Sequence, residues 1–157
     1  MRRWICIAAA LLAGGARAQT LSLSGLAGES ATLSAADIAA MPHQPATLKL
    51  DTRTEACEGV PIGLLLQRVG APAGKALRGQ ELADAVIVNA ADGYRVVLAL
   101  AETDPMVRPE RVVLADRCGG AALPAAEGPF RLVVEGDLRP ARWARRVTAI
   151  AIRRVGP

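Results

Sequence analysis

Two cysteines, one histidine and a run of arginines carry most of the chemistry this sequence offers. Cys57 and Cys118 form an even pair once Cys6, near the N-terminus, is set aside. In an oxidising compartment such a pair points to a bridge. The loop it closes would span 61 residues, worth about 4 kcal/mol from chain entropy. The alternative is two separate thiols, one of them a metal ligand or a nucleophile. No Cys-x-x-Cys is present, so thioredoxin-like exchange lacks its motif. Cys118 is followed by Gly119-Gly120, flexible backbone beside a sulfur, but no His or Lys lies near it in sequence to favour a thiolate.

His43 is the single histidine, which excludes a multi-His metal site and any two-His mechanism. Between Pro42 and Gln44, it could bond a phosphate oxygen or pass a proton near neutral pH. An exposed loop histidine is the plainer reading, because no second catalytic partner is recognisable nearby. Arg131, Arg139, Arg142, Arg145, Arg146, Arg153 and Arg154 make the C-terminal end basic, opposed after residue 130 by Glu135 and Asp137 alone. Guanidinium forks match carboxylates and phosphates, so this end suits a small anion or an acidic partner. A solvated helix face and strand edge would show the same run. Asp92-Gly93 reads as a type I′ hairpin turn with Tyr94 packing across the strands. The other reading sets Asp92 and Tyr94 at a pocket mouth.

Composition narrows the classes. At 157 residues and 52% hydrophobic, the chain suits one domain with a core of its own. It is neither disordered, collagen-like nor a coiled coil. Aromatics make up 3%, namely Trp4, Tyr94, Phe130 and Trp143, poor stock for stacking bases or sugars. Residues 1–18 have the pattern of a cleavable export signal: Arg2-Arg3, an apolar run from Trp4 to Ala13, then Ala16-Arg17-Ala18. The run is well short of the roughly 20 residues a spanning helix needs. The net charge of +4 owes three units to Arg2, Arg3 and Arg17, so the mature chain is close to neutral and the basic pI is no argument for nucleic acid. The expectation is a periplasmic domain of residues 19–157 that binds neither nucleic acid nor, after cleavage, a membrane.

The elements that must position these residues follow from local pattern. Leu21 and Leu23 alternate with Ser22 and Ser24 before Gly25, a first strand. Residues 31–33 give a short second strand. Ser34 to Asp37 is a capping-box-like start to a helix that runs to Met41 and stops at Pro42. Residues 47–51 alternate as a strand that 53–58 can continue. Gly59-Val60-Pro61 reads as a turn, with Pro61 opening a helix. Its apolar face is Ile62, Leu65, Leu66 and Val69, and Gly70 ends it. Residues 77–83 give a helical turn, and 85–90 and 94–98 the two strands of a hairpin. Residues 100–104 read as a short helix or turn and 140–145 as a short helix, 111–115 and 130–134 as strands, and 147–154 as a last alternating strand. The class is one strand-rich α+β domain.

In order and spacing these segments resemble the sulfite-oxidase-type, molybdopterin-binding oxidoreductase domain. The matching pieces are Leu21–Gly25 with Leu33–Pro42, Gly59-Val60-Pro61-Ile62-Gly63-Leu64-Leu65, Ala91-Asp92-Gly93-Tyr94 and Val113-Leu114-Ala115. Gly128-Pro129-Phe130-Arg131-Leu132-Val133 and Trp143 through Ile150 complete the set. They cover nearly all of the mature chain, which looks like a short, stand-alone exported version. The resemblance implies a mixed α+β fold and a molybdenum–pterin cofactor. It also implies a cysteine thiolate on the metal from a loop before the Gly-Val-Pro turn, and Arg and His side chains around the pterin phosphate, for which His43 and Arg131 are the candidates. Residues 46–54 contain no cysteine, and Cys57 stands only two residues before Gly59, so the soft ligand such a metal favours is missing from its place. The expectation is a domain without cofactor or metal that binds a small anion or a periplasmic protein partner, with Cys57 bridged to Cys118. The alternative is a molybdenum-cofactor oxidoreductase component that uses Cys57 or Cys118 as an atypical ligand.

Overall fold

The structure is a computed structural model that describes residues 19–50 and 52–156; the export signal assigned to residues 1–18 lies outside the described residues. β1 (Thr20–Ser24) and β2 (Ser30–Ser34) form an antiparallel pair. Ser34 then caps α1 (Ala35–Ala39): its Oγ accepts from the Asp37 amide at 3.1 Å, and Asp37 Oδ2 accepts from the Ser34 amide at 2.8 Å. This reciprocal pairing satisfies two amides that a helix start leaves free. The bond from the Ser34 side chain, and then that from its backbone, holds the Asp37 carboxyl below its usual range.

β3 (Gln44–Leu50) pairs antiparallel with β4 (Arg53–Pro61), which leads directly into α2 (Ile62–Gln67). The turn expected at Gly59-Val60-Pro61 is instead the end of β4, and the helix opens at Ile62 behind a Pro61 cap. The reason is a partner distant in sequence. Gly59 lies so close to the neighbouring strand that a Cβ would collide with the Leu114 carbonyl oxygen, a close approach that glycine permits. β5 (Ala85–Ala90) and β6 (Arg95–Ala99) make the expected hairpin, with buried and less buried residues alternating.

The connection between them is not type I′. The Gly93 amide donates to Ala90 O at 3.1 Å, and the Ala90 amide to Tyr94 O at 2.9 Å. Gly93 has φ +85°, while Asp92 has no positive φ. A type I′ turn needs positive φ at both central residues; this pattern is the longer loop in which glycine forms a bulge.

β7 (Val112–Cys118), β8 (Ala121–Ala122), β9 (Arg131–Val134) and β10 (Val147–Arg153) complete the set. One sheet runs β2-β1-β10-β5-β6, with β1 and β10 parallel and its other pairs antiparallel. The second runs β3-β4-β7-β8, with β9 also on β7. The helix or turn expected at 100–104 is a 3₁₀ turn, Leu100–Thr103, and the short helix expected at 140–145 is also a single 3₁₀ turn, Pro140–Arg142, which ends where Trp143 turns into the core.

The second sheet curls so that its edge is covered. Glu135, directly after β9, accepts from the Thr47 amide of β3 at 3.0 Å and from the Arg111 amide at 3.1 Å, and Arg111 Nη1 donates to Pro45 O at 3.0 Å. A carboxylate thus occupies donors that would otherwise invite another strand. Leu21, Ile62, Leu65, Val88, Leu114, Phe130, Leu132 and Ile150 belong to one core cluster to which both sheets and α2 contribute.

Candidate functional site

Arg131 opens β9, a strand buried at all four positions. Such a strand has no solvent face on which to place a charge, so the guanidinium is drawn inward and its side chain keeps only 4% exposure. Its Nη1 donates to Glu127 Oε2 at 2.7 Å and stands 3.7 Å from Glu55 Oε2. The guanidinium carbon lies 5.9 Å from the Trp143 ring centroid, within reach of the ring's negative face. Arg131 Nε is buried with no hydrogen-bond partner.

Arg131 and Arg145 line two cavities. One, of about 270 Å³, is completed by Asp92, Tyr94, Trp143 and the Pro140 turn. The other, of about 190 Å³, is completed by Arg53, Glu55, Cys118 and Glu127, with Leu123 and Pro124. Each wall carries one more cation than carboxylate. Glu127 joins the two arginines, since its Oε1 is 3.6 Å from Arg145 Nε. Arg146 has φ +52°, the left-handed region that side chains avoid. Its amide donates to Glu127 O at 2.8 Å and its carbonyl accepts from Ala91 at 3.0 Å. This backbone therefore ties the Glu127 loop to the hairpin loop that carries Asp92 and Tyr94. Tyr94 is half exposed, and its hydroxyl donates to Ala141 O at 2.5 Å. The pocket-mouth reading of Asp92 and Tyr94, set second to packing across the hairpin in the sequence, is where these residues stand.

His43 lines neither cavity. Its Nδ1 faces Met41 O at 2.7 Å and its Nε2 faces Asp116 Oδ2 at 3.1 Å. Asp116 is the extra residue of a bulge: Glu58 pairs with Arg117 and Gly59 with Ala115. Both ring nitrogens lie within hydrogen-bond distance of oxygens on other segments, so His43 fastens the start of β3 to β7. It and Arg131, the two candidate cofactor ligands of the sequence, do not share a cavity.

Cys57 and Cys118 are bonded. They sit directly opposite on β4 and β7, with Cα atoms 4.0 Å apart. β7 runs three residues past the expected strand end at 115 and finishes at Cys118, whereas Cys57 lies in the middle of β4 because that strand continues to Pro61. The bond engages both sulfurs, so in this state neither Cys57 nor Cys118 is a metal ligand.

Part of the C-terminal arginine run is structural. Arg142 forks onto Asp137 at 2.9 and 2.6 Å and reaches Glu102 at 3.0 Å. The Asp137 bond, ahead of the Glu102 bond, raises its guanidinium above the ordinary value. Arg154 forks onto the fully buried Asp84 at 3.0 Å on both arms. Sequence reasoning missed Asp84 and Glu127, whose only signal is an acidic residue beside an apolar segment.

No family model matches this chain, and no curated protein matches it. Among solved structures, the sulfane dehydrogenase SoxCD from Paracoccus pantotrophus is similar, with a TM-score of 0.62 and 19% identity over 85% of this chain. The likeness covers 38% of that chain, so this chain spans well under half the length of its structural neighbour. At that identity the likeness is one of fold: a strand-rich mixed domain with two sheets and few helices.

Proposed function

We propose that this domain is an exported, cofactor-free relative of the sulfite-oxidase-type fold that binds a small anion at the Arg131–Arg145 cleft. The observation that carries the reading is the buried Arg131, whose Nε has no partner while its residue lines two cavities. A buried donor left unpaired costs about 1–3 kcal/mol, and a carboxylate or oxyanion supplies the acceptors it lacks. The exposed Arg145 gives the same ligand a second fork.

The donor set does not fit a molybdenum–pterin group. Such a metal calls for a free soft thiolate, and the two cysteines among the described residues are bonded to each other. His43 is committed to Met41 and Asp116. Calorimetric titration of the exported protein with sulfate, sulfite and a small dicarboxylate tests the reading. Saturable binding of one of them, weakened about tenfold or more in Arg145→Gln, supports it; no heat with any of the three overturns it.

The fold likeness to a sulfane dehydrogenase favours a second reading, a molybdenum-cofactor oxidoreductase component. Its test is the molybdenum and pterin content of protein purified from the periplasm of a cofactor-producing host. Stoichiometric metal would replace the first reading with the second.

A further inference from the structure

We propose that reduction converts the Cys57–Cys118 bridge into a site for a soft divalent cation such as zinc or cadmium, held by the two thiolates and the Glu55 carboxylate. The donor atoms of Glu55, Cys57 and Cys118 all lie within 4.8 Å of one another. Around a tetrahedral ion with metal–sulfur bonds of about 2.3 Å, neighbouring donors stand about 3.8 Å apart. The two sulfurs, 1.95 Å apart while bonded, must separate to that spacing once the bond is cut, and the Glu55 oxygen must close in. The backbone is already fixed for this, because Cys57 and Cys118 are opposite partners in the β4–β7 register.

Three features of the surroundings point to an ion. Glu55 and Cys118 both line the 190 Å³ cavity, so water can take the fourth position, as in open sites. Glu55 is only loosely engaged, its Oε2 3.7 Å from Arg131 Nη1 at one-third exposure, and is free to turn toward the sulfurs. Charge also balances. The two thiolates are matched by the divalent ion, so the cavity wall, whose three arginines face two carboxylates including Glu55, keeps its balance when the ion binds.

The oxidised and metal-bound states exclude each other, since each uses the same sulfur valences. A dithiol reductant supplies two electrons and two protons to the disulfide, giving two thiols and its own cyclic disulfide. The cation then binds and releases those two protons to solvent. The proposal is independent of the anion-binding reading, which concerns the oxidised protein.

The test uses the exported, processed protein, reduced with an immobilised phosphine in water, which becomes the phosphine oxide as the two thiols form. After anaerobic transfer, the protein is titrated with cadmium and with cobalt(II). The expected result is one equivalent bound, an ultraviolet thiolate-to-cadmium band and visible cobalt bands of tetrahedral intensity, all absent from oxidised protein and from Cys57→Ser/Cys118→Ser. Glu55→Gln is expected to keep the thiolate band and raise Kd at least about tenfold. A reduced wild-type protein that shows no band, or that no longer unfolds cooperatively, overturns the site. So does unchanged affinity in Glu55→Gln.

Discussion

At the scale of single residues, the cleft depends on one guanidinium that the chain cannot turn out to water. Arg131 and Glu127 compensate each other in a largely buried pair, and removing one partner strands the other. Arg131→Met is expected to lower unfolding free energy by about 3 kcal/mol, read by urea denaturation. Arg131→Met with Glu127→Leu should recover part of that loss, because no buried charge then remains alone. His43 separates in the opposite way. His43→Ala loses the bonds to Met41 and Asp116 and should cost about 1–2 kcal/mol in the same measurement. It should leave anion affinity unchanged within twofold in a parallel titration, since His43 lines neither cavity. Residue types marked His43, Cys57, Cys118 and the C-terminal arginine run as the groups to follow, and the family resemblance singled out Arg131 from that run. They did not tell which were committed to the frame, because commitment depends on partners such as Glu127, Asp116 and Glu55, brought in from other segments.

At the scale of elements, what could be read from the sequence depended on whether a segment has two different faces. The strands of residues 85–90 and 95–99 alternate between core and a wetter side, and α1 declares its start with Ser34 and Asp37. Ser34→Ala should cost about 1 kcal/mol of stability. The Asp37 contribution has a definite pH sense. Its carboxyl is held below its usual range, so its stabilising effect is full above the unfolded value and fades as pH falls through the lowered folded value. The stability gap between wild type and Ser34→Ala should therefore be widest near neutral pH and narrow in acid, as thermal melts across that range would record. A gap that widened in acid would contradict the capping box. β9 and the end of β4 were harder to read. β9 is buried on both sides and shows no period, and β4 extends through Gly59 to Pro61 only because β7 is there to pair with it. The bulge at Asp116 has no local signature either, since it is a mismatch between strands far apart in sequence.

At the scale of the whole molecule, the disulfide is the one covalent tie across the second sheet. It closes a loop of 61 residues, and reducing it should cost about 4 kcal/mol of chain entropy. A domain of this size has about 5–15 kcal/mol in hand. The reduced protein is therefore expected to stay folded with a lower urea midpoint and an unchanged cooperative transition, measured with and without reductant. The first sheet is tied together differently. Its central strand is β10, flanked by β1 on one side and β5 on the other. Until Arg153 has been added to the growing chain, β2-β1 and β5-β6 are two separate hairpins with nothing between them, and isolated hairpins are marginal in water. Residues 147–153 thus act as a keystone laid last. A protease that cuts before them leaves a chain without that sheet, so the integrity of one seven-residue segment decides whether two hairpins become a sheet.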